Sequence, residues 1–475
     1  MVTLKELESY SRVKLYEKFI SSKYVQAKIN LEDILNILVK RNIIKYDIHG
    51  NIKFNYVGLI LVKNIPIFVK PKYSVSNNKD TELELLKNII KLLNDFSERE
   101  KLDSSNIDSI EFESEIEENN LISIINFLLE DYIENGLYKN EVNSYELNGD
   151  GDIDWDKTID EVDPLVINNQ WVYTDLITKN SIIDTDRFIT MLHAKIINQC
   201  MELLNKTGLN NILKYNIEAI EKCIDNIEDK DYIFYEIDKE ITVQFSDRKR
   251  RVLKAIKSYL EQKSGTEEND LLLYGTRNFK WIWEVICGYI FDNEFIKDGS
   301  LSKYEKYGIE SPEWTIYGDG IVSLDESTIL KEKKNRLTPD ILKVTEYNGQ
   351  KYLLILDAKY YNVIVEKGKI KGNPGIEDIT KQYLYHSVLS NYMSREGINE
   401  NNVINAFLFP SELDSYIQGK VSVGFMEKFS QKPVNLVQLN ANEVIIMYCN
   451  NIKYNIHEFI DNVIDLVNRE NMHIW

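Results

Sequence analysis

The stretch from Thr338 to Asn362, TPDILKVTEYNGQKYLLILDAKYYN, leaves the chain little choice of local fold. Two strand-like runs flank Asn348-Gly349, the pair best suited to a type I′ turn, whose two central residues both need positive φ. A two-residue turn there sets Asp340 opposite Asp357. Facing residues in such a ladder hold their Cβ atoms roughly 4.5–5.5 Å apart. Side chains alternate along a strand, so Lys359 emerges on the same face as Asp357. The run Tyr352-Leu353-Leu354-Ile355-Leu356 is apolar on both faces, the pattern of a strand buried in the middle of a sheet.

Two facing carboxylates repel unless something compensates them. At the end of a buried strand a carboxylate has to be paired or metal-bound, and a divalent cation is the natural compensation. Mg²⁺-type ions take oxygen ligands. Phosphodiester hydrolysis in turn needs positive charge, to lower the pKa of the attacking water and to meet the charge on phosphorus. The plainer reading, a surface ion pair on an ordinary hairpin, fits poorly with so apolar a strand.

Flanking patterns extend this constellation. A helix is expected to open near Thr276, with Phe279, Ile282, Trp283, Ile286 and Ile290 on one face. Glu284 lies inside it and calls for a partner, either Lys280 or Arg277 on a polar strip or the metal, directly or through water. A second helix, Ile376 to His386, follows the breaker Asn373-Pro374-Gly375. Its Gln382 either orients a water or phosphate oxygen or faces solvent. Beyond it lies an apolar strand, Ala406-Phe407-Leu408-Phe409, ending at Pro410.

At 475 residues the chain is too long for one ordinary core. The patterning divides it into an α+β segment over 1–145, a mainly helical middle over 146–265 and an alternating α/β block over 266–475. Within the first, Val57–Val62 and Ile65–Val69 form the clearest strand pair. Residues 148–163 read as a polar loop; Asp150, Asp152, Asp154, Asp156 and Glu161 have calcium-loop spacing, but Trp155 stands where the sharp turn wants glycine. Four scattered cysteines without a CxxC pair read as reduced thiols, and five scattered histidines disfavour a His-based metal centre. No run reaches the roughly 18 apolar residues of a membrane span, and the charged N-terminus lacks the apolar core of a secretion signal, so a cytoplasmic location is expected.

The net charge of −19 is unusual for a chain that grips DNA on its own. Nine carboxylates crowd Glu98–Glu118, whereas Arg248, Lys249, Arg250, Arg251, Lys254 and Lys257 share one expected helix. Lys331, Lys333, Lys334 and Arg336 lead into Pro339, where phosphate contact is most credible.

A helix with Glu284, a strand opening on Pro339-Asp340, a strand closing on Asp357-Ala358-Lys359, a helix with Gln382 and a further strand, in that order, resemble the PD-(D/E)xK nuclease superfamily and its three-layer α/β fold. The likeness narrows to the LlaJI-type restriction endonucleases and their McrC-like relatives. LYGTRNFKWIWEVICGYIF, TPDI, ILDAKYY and DITKQYLYH look like that family's nuclease block; NGDGDIDWDKTIDEVDP and VGLILVKNIPIFVKPKY look like its upstream signatures. One departure is at position 386: related nucleases place tyrosine four residues after the glutamine, where this chain has His386 with Tyr385 beside it.

The resemblance implies that Asp340 and Asp357 ligate Mg²⁺, or Mn²⁺ in its place, with the Ala358 carbonyl as a further ligand and Glu284 supporting the metal. Lys359 would steer or help deprotonate the attacking water, and Gln382 would keep the site in order. It implies a double-stranded DNA substrate, a restriction role in phage defence, and a separately encoded McrB-like AAA+ GTPase in a higher-order complex, this sequence having nothing resembling a Walker A loop. Two other readings are a non-catalytic adaptor that stimulates the partner NTPase, with residues 1–145 carrying the contact, and a nuclease acting on another nucleic acid.

Overall fold

In the computed structural model, which describes residues 1–21, 30–63, 65–103, 121–168, 170–184, 188–207, 209–224, 230–264, 271–295, 306–309, 337–366, 369–424 and 433–472, the chain does turn at Asn348-Gly349. Both residues have positive φ, 50° and 74°, as a type I′ turn requires. Strands Ile341–Tyr347 and Gln350–Ala358 pair antiparallel from Tyr347↔Gln350 to Ile341↔Leu356. Gln350–Ala358 then runs parallel to Val403–Ser411, which runs parallel to Val434–Asn440, and Tyr416–Val421 closes the five-stranded mixed sheet antiparallel. Gln350–Ala358 and Val403–Ser411 are buried along most of their length, which explains their apolar runs, since a strand inside a parallel array is covered on both sides.

Helix Ile376–Val388 covers one face. Its Tyr385, with Leu389 beyond its end, packs with Leu342, Leu353 and Ile355, while Ile379 and Tyr383 meet Phe407 and Phe409. Helix Phe279–Ile290 packs against the same central strand, and its Trp283 indole N–H donates to the Leu408 carbonyl at 3.2 Å. Phe279, Ile282, Trp283, Ile286 and Ile290 are all buried, the face that periodicity predicts. The helix starts later than expected. Thr276 ends a strand, Leu271–Thr276, and Asn278 caps the helix through its side-chain oxygen, which accepts from Trp281 N–H.

That strand completes a second sheet, in the order Val2–Lys5, Ile65–Lys70, Val57–Val62, Leu271–Thr276. Gly58 and Gly275 make the last junction: a Cβ on either would stand 2.2 Å from a backbone oxygen of the other strand, Tyr274 O or Val57 O. Helix Lys79–Asp103 packs on this sheet and on helix Ala441–Cys449. Tyr274 donates its hydroxyl proton to Ile90 O at 2.8 Å, and Phe96 meets Trp281 edge-on at 4.9 Å.

The chain therefore divides differently from the three-part sequence reading. Met1–Glu118 and Leu273–Trp475 form one unit, and Asn119–Leu272 forms the other. The reason is long-range strand pairing, which local patterning does not carry: residues 57–62 find their last neighbour some two hundred positions on. The acidic stretch beyond Asp103 and the basic residues at 331–336 lie outside the described residues.

The second unit holds a three-stranded sheet, Asn140–Leu147, Ile177–Asp184 and Asp152–Ile153, with helices that include Phe188–Thr207 and Asp247–Ser264. The expected polar loop instead contains the short strand Asp152–Ile153 and helix Trp155–Glu161, capped by Asp154, whose carboxylate accepts from Lys157 N–H. A carboxylate used as a helix cap has a structural reason to be there. On Asp247–Ser264, Arg248 forms a fork with Asp131 at 2.7 Å on both arms, and Lys257 pairs with Asp238 at 2.6 Å, so part of the basic run is internal pairing. Among the described residues none of the four cysteines forms a disulfide, and no helix is long and apolar enough to cross a membrane.

His193 is buried in this unit, and its Nδ1 accepts from Tyr138 N–H at 2.9 Å. Burial is the main force that lowers its pKa to about 4, from 6.5. Above pH 6.5 the ring is neutral in both states; below it the unfolded chain takes up a proton that the folded one refuses, so stability is lost as pH falls from 6.5 towards 4. Wild-type protein should lose about 2–3 kcal/mol more stability between pH 7 and pH 4.5 than His193→Gln. Parallel urea titrations of the two proteins would reveal it; equal slopes would refute it.

Candidate active site

The site forms where the hairpin ladder ends. Beyond the Ile341↔Leu356 pair, Asp340 and Asp357 are the next residues, and Ala358 N–H donates to Asp340 Oδ2 at 3.1 Å. Asp357 is buried at the C-terminal end of its strand. Lys359 Nζ stands 2.9 Å from Asp357 Oδ2 and 3.5 Å from Asp378 Oδ1, a carboxylate that sequence reasoning passed over. Asp378 sits in the first turn of helix Ile376–Val388, where a negative charge is favoured. It also accepts from Tyr361 and from Gly375 N–H, so it fixes the segment on either side.

Electrostatics separates the two aspartates. Burial, then the hydrogen bond to Asp357 and repulsion from Asp357 and Glu284, push the Asp340 carboxyl well above the ordinary range. Burial also works against charge on Asp357, but the hydrogen bond from Asp340 and the Lys359 ammonium hold it below its usual value. In the cation-free protein the pair is thus one carboxylate and one carboxylic acid sharing a proton, the usual outcome for like charges forced together. The Lys359 ammonium is kept charged by the same carboxylates.

Gln382 is fully buried, not solvent-facing, and adjoins Asp357, favouring its ionised form. Neither its Nε2 nor its Oε1 makes a well-formed hydrogen bond, so a polar amide at the site retains unmet capacity. Tyr385 turns to the site, its hydroxyl donating to Thr338 O at 3.0 Å, while His386 points to Glu400, 3.0 Å away. Glu284 pairs with Lys280 at 3.6 Å. Its charge acts on Asp340, yet among the described residues no three His, Cys, Asp or Glu side chains are grouped to hold a metal. Two carboxylates and a main-chain carbonyl still suit an ion such as Mg²⁺, which keeps several waters and takes one or two protein carboxylates.

The model of the LlaJI restriction endonuclease family matches residues 56–446, a span that includes every residue of this constellation. The chain belongs to that family. It is also 32% identical over 435 residues to the type II restriction enzyme BsuMI component YdjA of Bacillus subtilis (strain 168), covering 88% of this chain and 85% of that protein. A half-complex of Thermococcus gammatolerans McrB AAA+ hexamers with bound McrC aligns over 95% of this chain and 99% of that one, at 12% identity and a TM-score of 0.39. Family membership makes the chain a restriction-system nuclease subunit.

Proposed function

We propose that the chain is the Mg²⁺-dependent DNA endonuclease subunit of a phage-defence restriction system, with a PD-(D/E)xK nuclease domain, and that it acts in a higher-order cytoplasmic complex with a McrB-like AAA+ GTPase. The observation that carries this reading is the pairing of half-buried Asp340 with buried Asp357, with Lys359 2.9 Å from Asp357. Two carboxylates in a near-dry site are costly to keep unless a cation or proton neutralises them.

Asp340, Asp357 and the Ala358 carbonyl would hold Mg²⁺ or Mn²⁺, with Glu284 supporting it from the neighbouring helix. Such an ion supplies Lewis acidity towards a phosphate oxygen and a lowered pKa to a water. Lys359, kept cationic, would hold that water and meet charge building on the phosphate. Gln382 orders Asp357 from beneath, and Tyr385 ties its helix to Thr338, two residues before Asp340. Glu284→Gln should raise the Mg²⁺ concentration for half-maximal cleavage about tenfold, with little loss at saturating metal. A metal titration of the purified variant decides this, and an unchanged midpoint removes Glu284 from the site.

A partner explains the charge of −19, since a subunit delivered by a DNA-bound motor need not grip DNA itself. Residues 1–118 share a unit with the nuclease sheet, so deletion of 1–145 would open a core, not excise a separable contact module. A better candidate contact is the hairpin Leu165–Ile167/Gln170–Val172, where Val166 pairs with Trp171 and every residue is exposed, Trp171 at 72%. The test of the whole reading is a Mg²⁺-dependent DNA cleavage assay with and without the AAA+ GTPase. Metal-independent cleavage, or none with the partner present, would overturn it.

A further inference from the structure

The segment carrying the catalytic lysine leaves the sheet directly after Ala358, held in the main chain by Lys359 N–H to Leu408 O at 3.0 Å. Its next side chain, Tyr360, is buried, and residues remote in sequence meet around it. The Tyr360 hydroxyl donates to Glu6 Oε2 at 2.5 Å. Glu6 follows strand Val2–Lys5, its own N–H donating to Lys70 O at 2.9 Å. The same carboxylate oxygen accepts from Lys72 N–H at 3.1 Å, and the Lys72 ammonium lies 4.3 Å above the Tyr360 ring. Phe279, the first residue of the helix that carries Glu284, packs at 5.3 Å from that ring, and Tyr73 meets it edge-on at 6.2 Å.

A second link lies alongside. Glu412, one residue beyond strand Val403–Ser411, accepts from Val75 N–H at 2.8 Å and Ser76 N–H at 2.7 Å. The segment 70–76 is thereby fixed to the ends of two neighbouring strands, the ends where Asp357 and Lys359 emerge. Glu6 is only 7% exposed. A carboxylate is an expensive way to hold two sheets together, because apolar packing of similar volume does so at no desolvation cost. What it adds over packing is a directed hydrogen bond that fixes one hydroxyl and, through it, the backbone one residue from Lys359.

We propose that Glu6 and Tyr360 are positioning residues for Lys359, so that the N-terminal sheet, through Glu6 and Lys72, sets the geometry of the reaction centre. The inference rests on the nuclease reading for its kinetic arm only. A misplacement of about 1 Å at a reacting group costs on the order of 10²-fold in rate. Tyr360→Phe and Glu6→Ala should each lower kcat about 10–100-fold with KM for DNA unchanged within about twofold. The double variant should be no slower than the worse single one, because both cut one link. Glu6→Gln, which keeps an acceptor oxygen for the hydroxyl, should recover most of the rate.

A second measurement needs no activity: the rate of amine modification at Lys359, read by peptide mass spectrometry with half-exposed Lys351 as internal reference. Lys359 is shielded now, and Tyr360→Phe should raise its modification at least about fivefold relative to Lys351 if the hydroxyl holds the segment. Wild-type protein that does not cleave with its partner defeats the nuclease reading, and the labelling arm still decides the link. Full kcat in Tyr360→Phe, additive losses in the double variant, or unchanged Lys359 labelling would each overturn the proposal.

Discussion

Asp357→Ala should lower Mg²⁺-dependent cleavage by at least about 10³-fold, the scale of loss when one member of a cooperating catalytic set is removed. Folding should survive. The substitution removes a buried charge together with its repulsion of Asp340, and Lys359 keeps Asp378 at 3.5 Å as a second partner. Lys359→Ala should cost a comparable factor by another route, leaving the paired carboxylates intact and metal binding nearly unchanged. Asp340→Asn separates chemistry from stability. The folded Asp340 carboxyl is raised, so the folded state keeps a proton that the unfolded chain releases once pH passes its ordinary value. Cation-free stability therefore falls as pH rises towards the folded pKa. Asp340→Asn removes that dependence: the variant should be inactive yet more stable than wild type without metal, by a margin that grows from pH 5 to pH 8. Thermal melts in chelator at the two pH values, beside the cleavage assay, read both effects. An active Asp357→Ala protein would end the assignment.

The candidate site's geometry was legible because its information is local. Asn348-Gly349 fixes a register, and the register alone places Asp340 beside Asp357 and Lys359 on the same face. Helix periodicity likewise gave the buried face of Phe279–Ile290. Legibility stopped where a decision depends on something distant in the chain. Nothing near Gln382 says that its helix face is covered, since the strands that cover it, Gln350–Ala358 and Val403–Ser411, lie some twenty residues away on either side. Tyr385 and His386 are adjacent, and choosing between them requires knowing that Thr338 lies on one side and Glu400 on the other. The start of the Glu284 helix was misplaced because Gly275-Thr276 belongs to a strand whose partner is Val57–Val62. Asp378 went unnoticed as a helix-initial acid of ordinary type, though it is the second carboxylate on Lys359.

Gly58→Ala should destabilise the first unit by more than about 3 kcal/mol, among the larger effects of any single substitution outside the site. Gly58 has φ 134°, a conformation that side chains rarely adopt, and its new Cβ would meet the Tyr274 carbonyl oxygen at 2.2 Å. The oxygen is backbone, so relief requires moving the strand. Gly275→Ala meets the same obstacle from the other side, at Val57 O. Gly50→Ala is the control, with φ 74° but open space around it, and should cost only the conformational penalty of about 1–2 kcal/mol. Separating the strands would also loosen Arg277 to Phe279, the short connection that starts the Glu284 helix and packs against Tyr360. Activity should therefore fall along with stability, and Lys359 labelling should rise as in Tyr360→Phe. Urea midpoints for the three glycine variants test the steric argument directly. If Gly58→Ala lies within about 1 kcal/mol of Gly50→Ala, the Gly58–Gly275 junction is not what closes the N-terminal sheet onto the C-terminal half of the unit.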